Sequence, residues 1–141
     1  MAAAPVPIRA PIVLVVDDEE GVRLLIRRTL EAAGYRVCEA DDGFEALSVL
    51  LQGRAVDLVL TDVRMPRMDG CELAAHMAAL ALKIPILFVT GYVNEPESGA
   101  LPGPVLAKPF GPEQLVAFVR DASRQTCGCQ PPADSRQPSN N

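Results

Sequence analysis

The chain has 141 residues, 49% of them apolar and 22% charged, with a formal net charge of −5. That is one domain with enough apolar material for a core, and its acidic balance excludes binding of nucleic acid by charge alone. No apolar run approaches the roughly 20 residues that a membrane-spanning helix needs, so no membrane association is expected.

Residues 1–9 carry two early prolines and no basic stretch ahead of an apolar one. They are expected to be a flexible lead rather than a signal peptide, and the chain is expected to be cytoplasmic. Ile12, Val13, Leu14, Val15 and Val16 form a continuous β-branched run, the pattern of a strand covered on both faces. The run stops at Asp17, Asp18, Glu19 and Glu20, four acids that suit the positive end of a helix dipole. The spacing then predicts a helix with Val22, Leu25, Ile26, Leu30 and Ala33 on one face and Gly34 as its left-handed cap. Residues 36–39 read as a short second strand. Asp41, Asp42 and Gly43 turn into a second helix with Phe44, Leu47, Leu50 and Leu51 as its apolar positions.

Leu58, Val59 and Leu60 are too few for a helix, and 58–61 reads as a third, buried strand. Asp62 stands where it ends. Pro66 blocks helix continuation, so the chain must turn directly after Asp62. Asp69 is placed to cap the next helix, with Glu72 three positions on reaching back to it. That helix is predicted over 70–82, with Leu73, Ala74, Met77 and either Leu80 or Ala81 inward. The fourth strand is predicted over 84–89, ending at Thr90 and Gly91. Val105, Leu106 and Ala107 form the fifth, ending at Lys108 and Pro109. A last helix opens near Pro112, a residue welcome in a first helical turn, and buries Leu115, Phe118, Val119 and Ala122.

From Gln125 onward Pro, Ser, Asn and Gln dominate without an apolar period, so 125–141 is expected to be a disordered tail after a domain at 10–124. Cys38 and Cys71 fall in strand and helix patterns, where free Cys behaves as a small hydrophobe. Cys127 and Cys129 supply two ligands, too few for a closed metal site. The lone His76 falls on the third helix and is read as a partly exposed helix residue.

Five strands alternating with helices at short spacing predict an α/β fold, a doubly wound parallel sheet with helices on both faces. Right-handed crossovers leave few topologies, and the flavodoxin-like order 2-1-3-4-5 suits this size. In that order strands 1, 3, 4 and 5 are neighbours. Their carboxyl ends then bring Asp17, Asp18, Asp62, Thr90 and Lys108 to one edge, beside the crevice where crossovers diverge. An Asp closing a strand is by itself an ordinary turn residue; five polar strand ends on one edge need a common cause. Three close carboxylates repel unless a cation sits among them, and a set of oxygen donors suits Mg²⁺. Metal, ammonium and hydroxyl together suit a phosphoryl group, with a carboxylate able to attack phosphorus. In a chain with eleven Arg and only two Lys, Lys83 and Lys108, the choice of Lys at that edge fits a point charge on phosphate.

The sequence of Asp17-Asp18, Asp62 followed by Met65-Pro66 and Asp69-Gly70, Thr90, then Lys108-Pro109-Phe110 resembles the receiver domain of two-component response regulators over about residues 11–124. The resemblance implies that Asp62 accepts a phosphoryl group from a histidine kinase or a histidine phosphotransfer protein. It implies that Asp18 and Asp62 ligate Mg²⁺ directly, with the backbone carbonyl of Arg64, while Asp17 acts largely through water. Lys108 would pair with the phosphoryl group, Thr90 would move toward it, and the Lys108–Pro109 bond would be cis. The domain would be a phosphoacceptor with self-phosphorylation and autodephosphorylation only, acting on an unidentified downstream protein. No output domain is expected after residue 124. Two departures stand out: Val105 occupies a position often aromatic in the family, and the Pro-rich 92–104 reduces the helix before the fifth strand to a stub.

Two rival readings differ in chemistry. A haloacid-dehalogenase-type phosphatase also uses an aspartyl nucleophile and Mg²⁺. It carries a second acid two residues after the nucleophile, where this chain has Arg64, and places its acidic pair late in the chain. A pseudo-receiver scaffold would bind partners without chemistry, and the full set of five site residues argues against it.

Overall fold

The computed structural model of the protein describes residues 10–91 and 101–126, with side chains described as far as Ser123. Its strands are β1 (Ile12–Val16), β2 (Arg36–Ala40), β3 (Leu58–Asp62), β4 (Ile86–Thr90) and β5 (Val105–Ala107). Its helices among the described residues are α1 (Glu20–Ala32), α2 (Gly43–Leu51), α3 (Gly70–Ala79) and α4 (Pro112–Thr126). The sheet is parallel throughout, in the order β2-β1-β3-β4-β5, as the alternation predicts. The expected stub of helix falls largely on 92–100, and the expected lead and most of the expected tail on 1–9 and 127–141; all lie outside the described residues. The last helix continues through Thr126, past the expected boundary.

All five residues of β1 and of β3 are buried, because both faces of the sheet are covered. On one face Leu14, Val16 and Val59 pack under α2 and α3 with Val49, Leu50, Leu73 and Met77. On the other, Val13, Val15, Leu58 and Leu60 pack under α1 and α4 with Ile26, Leu30, Leu115 and Val119. Burying each such aliphatic side chain contributes roughly 1.5–3 kcal/mol, which is what clamps the strands' carboxyl ends in register.

The helix faces differ in part from those the spacing predicts. In α1 the buried residues are Ile26 and Leu30, with Val22 beside them, whereas Leu25 is 58% exposed and Ala33 lies outside the helix in solvent. The groove between β1 and α4 covers a narrow stripe, and Leu25 is a full 100° around the helix from Ile26. In α2, Ala46, Val49 and Leu50 face the core with Leu47 half-buried, while Phe44 and Leu51 are 53% and 57% exposed. α3 stops at Ala79, and Ala81 then takes a positive φ of 57°. That turn carries Leu80 and Ala81 outward and brings Leu82 onto the core instead. β4 starts at Ile86 rather than residue 84, because Pro85 has no N–H to give the ladder, although its carbonyl accepts from Val59. In α4, Leu115, Val119 and Ala122 are buried and Phe118 is half-buried against the same cluster.

Candidate functional site

Local chemistry fixes the loops that carry the site. The capping box expected at α3 is present: the Asp69 carboxylate accepts from the Glu72 N–H at 2.8 Å, and Glu72 accepts from the Asp69 N–H at 3.0 Å. Gly70 follows, and its N–H donates to the Val63 carbonyl at 2.9 Å. A Cβ on Gly70 would lie 2.5 Å from the carbonyl oxygen of Asp62, so only glycine lets α3 begin this close to the end of β3. Asp62 is thereby held between a strand behind it and a helix start in front. At α1, the Gly34 N–H donates to Glu31 and the Tyr35 N–H to Leu30 with Gly34 at φ +100°, the left-handed cap that the sequence predicts.

At the carboxyl edge, one carboxylate oxygen from each of Asp17, Asp18 and Asp62 lies within 4.8 Å of the others. Asp17 is completely buried, Asp62 nearly so, and Asp18 is exposed. Lys108 reaches over the strand ends to both buried acids, its Nζ 3.3 Å from Asp17 Oδ2 and 3.4 Å from Asp62 Oδ2. The Lys108–Pro109 peptide is cis, as the resemblance implies. Asp18, Asp62 and Lys108 open on a cavity of about 420 Å³ lined also by Glu19, Arg64 and Gly91. Thr90 is fully buried at the end of β4, beside Ala107 in register, and its carbonyl accepts the Lys108 N–H at 2.9 Å. His76 is exposed on α3, away from this edge. Val105 is half-buried opposite Phe88, where it packs with Leu101.

The electrostatics follow from burial and spacing. Burial pushes the Asp62 carboxyl above its usual range and Asp17 adds to the push, against the opposing charge of Lys108. For Lys108, burial disfavours the charged ammonium, yet Asp62 and Asp17 outweigh it and its pKa is raised. The site therefore holds more negative charge than one lysine neutralises. Its donors are all oxygen, and the trio is the one group of its kind among the described residues. A small hard divalent cation fits such a set.

One residue that sequence reasoning did not single out belongs to this edge. Arg23, in the first turns of α1, donates from Nη1 to the backbone carbonyl of Asp17 at 2.6 Å. Its only sequence signal is a position six residues after Asp17, on the helix that the acidic run opens.

A parallel 2-1-3-4-5 sheet with an acidic trio and a lysine at its switch point defines a CheY-like receiver fold. Residues 13–120 match the family model described as the response regulator receiver domain, and the chain belongs to that family. It is 41% identical over 118 residues to "Response regulator MprA" of Mycobacterium sp. (strain KMS), covering 81% of this chain and 51% of that one. The protein of the same name from Mycobacterium avium (strain 104) is 42% identical over the same length. The chain thus spans about half the length of the curated relatives it matches. Among solved structures, the chemotaxis protein CheY4 of Vibrio cholerae aligns with a TM-score of 0.69 and 36% identity, over 80% of this chain and 98% of its own. A response regulator receiver protein from Sinorhizobium medicae WSM419 aligns with a TM-score of 0.71 and 30% identity, over 81% and 94%. Receiver domains are signalling modules rather than classical enzymes. No helix among the described residues is long and apolar enough to cross a membrane.

Proposed function

We propose that this domain is the phosphoacceptor of a two-component phosphorelay and that Asp62 takes the phosphoryl group. A histidine kinase or a histidine phosphotransfer protein is the donor. An Asp62 carboxylate oxygen attacks phosphorus, the bond from phosphorus to the donor's imidazole nitrogen breaks, and an aspartyl phosphate remains. The observation that carries this reading is Lys108, whose ammonium sits within 3.4 Å of both buried acids at the mouth of the cavity. There it meets the phosphoryl oxygens as a compact charge and holds Asp62 in line behind them. The Thr90 hydroxyl is a donor on the neighbouring strand end for another phosphoryl oxygen. Asp18, Asp62 and the Arg64 carbonyl would hold Mg²⁺ directly, with Asp17 acting largely through water. When bound, that ion supplies the positive charge that the carboxylates and the incoming phosphoryl group lack. The domain works in the cytoplasm, phosphorylates itself from small phosphodonors, loses the group by its own hydrolysis, and changes conformation to engage a downstream protein.

Incubation with a small acyl phosphate and Mg²⁺, followed by peptide mass spectrometry, tests the assignment. A single phosphoryl group mapped to Asp62, absent in Asp62→Asn and absent with a chelator, is the expected result. Labelling that ignores the chelator, or that persists in Asp62→Asn, overturns it. Failure to take any label favours the scaffold reading.

A further inference from the structure

Asp17 is held at every polar group it has. Its N–H donates to the Ala40 carbonyl at 3.2 Å, and Oδ1 accepts the Glu19 N–H at 2.9 Å. Oδ2 meets Lys108, and its carbonyl accepts Arg23 Nη1 at 2.6 Å. The last of these contacts is the shortest, and its donor is charged. The guanidinium that makes it is itself fixed. Arg23 Nε donates to Glu39 Oε1 at 3.0 Å on β2, and the other oxygen of Glu39 accepts Arg27 Nη1 at 2.8 Å. The Arg23 side chain is only 15% exposed, so the fork is rigid and largely out of water. Burial works to raise the Glu39 pKa, but its bonds and charges with Arg23 and Arg27 outweigh that and leave it lowered, so Glu39 stays ionised.

We infer that Arg23 is a positioning residue for the cation site: anchored by Glu39, it fixes the backbone of Asp17 so that the three carboxylates converge. This rests on the Mg²⁺ site proposed above. Without Arg23 the buried Asp17 carbonyl loses its charged donor, the loop from β1 to α1 relaxes, and the Asp17 carboxylate leaves its place opposite Asp62. Outer partners of metal ligands of this kind are worth about 10–100-fold in metal affinity. A simple charge effect has the opposite sign, since removing a positive charge beside a carboxylate cluster strengthens its pull on Mg²⁺.

The test is calorimetric titration of the metal-free full chain with Mg²⁺, paired with its thermal melt. The parent binds Mg²⁺, and Arg23→Gln binds about tenfold more weakly. Glu39→Gln is weakened to a lesser degree, and the double variant is no weaker than Arg23→Gln alone, because Glu39 acts through Arg23. Arg23→Lys keeps the charge but cannot span both anchors, so it stays weak. Arg28→Gln, which removes the same charge from an exposed position on α1 outside these contacts, binds as the parent or more tightly. A merely structural role lowers the melting temperature and leaves Mg²⁺ affinity unmoved. Parent binding with Arg23→Gln equal or tighter overturns the inference alone. Should Arg23→Gln fail to fold, parent-like affinity in both Glu39→Gln and Arg23→Lys overturns it. A parent that binds no Mg²⁺ overturns the functional reading, and the inference with it.

Discussion

Lys108 Nζ lies 3.4 Å from Asp62 Oδ2, although 46 residues separate the two in the chain. They meet because β3, β4 and β5 are consecutive in the sheet and end at the same edge. In Lys108→Gln the paired acids lose their ammonium, which costs about 1–3 kcal/mol in the metal-free protein. That is below the 3–5 kcal/mol of a fully buried pair, because Lys108 is about a quarter exposed. The folded-state pKa of Lys108 is raised, so its contribution is complete below the ordinary lysine value of about 10.4 and is lost as pH rises through the folded one. Urea denaturation at about pH 7 and about pH 9 should therefore give the same deficit. A deficit that vanishes by about pH 9 contradicts this pairing.

For Asp62 the pKa is also raised, but the form that the fold favours is the neutral one. Burial raises its folded-state pKa, so stability falls as pH rises from the ordinary carboxylate value and the loss is complete once pH passes the folded one. Asp62→Asn should raise the metal-free melting temperature near neutral pH by a few degrees. The gain should shrink as pH falls toward the ordinary carboxylate value of about 3.9, where parent and variant are both uncharged. Melting curves across that range check both statements: a variant that melts below the parent at neutral pH refutes the first, and a gain that does not shrink at low pH refutes the second.

Gly70 and Gly21 make a matched pair. A Cβ at Gly70 meets the Asp62 carbonyl oxygen at 2.5 Å, and the backbone that must yield belongs to the acceptor residue. Gly70→Ala should cost about 1–3 kcal/mol and slow labelling of Asp62 by an acyl phosphate. Gly21, in the first turn of α1, has nothing within 4 Å of its Cβ position. Gly21→Ala should be neutral or gain about 0.4–1 kcal/mol. Chemical denaturation with a labelling assay separates the two.

Neighbouring residues on α1 should respond very differently to truncation. Ile26 is 1% exposed and Leu25 is 58% exposed. Ile26→Ala should cost about 2–5 kcal/mol by leaving a cavity under β1. Leu25→Ala should stay within about 0.5 kcal/mol. Equal costs in equilibrium unfolding would restore Leu25 to the core face that the spacing predicts.

Much of the site could be read from residues alone, because its signals are local. A buried strand, an acid at its end, a Pro that forces a turn and a capping box all act within a few residues, and each is where the sequence puts it. Crossover handedness, a rule of chain geometry that holds whatever the side chains, left few strand orders, and the size of the chain favoured 2-1-3-4-5 among them. Those two things together bring Asp17, Asp18, Asp62 and Lys108 to one edge without any knowledge of contacts.

What the sequence could not determine depends on which neighbour covers which surface. Leu25 and Ile26 are both apolar and adjacent, and only the position of α4 and β1 decides that one is core and the other solvent-facing. Phe44 and Leu51 satisfy a helical apolar period yet stand outside the contact between α2 and α3. Arg23 is one of eleven arginines, and its place six residues after Asp17 does not by itself set it apart. Its role exists only because β2 brings Glu39 alongside α1, so that a guanidinium can bridge that carboxylate and the carbonyl of Asp17. Periodicity and turn chemistry are properties of a segment and survive in the sequence. Partial exposure and bridging hydrogen bonds belong to pairs of segments, and the tertiary packing alone decides them.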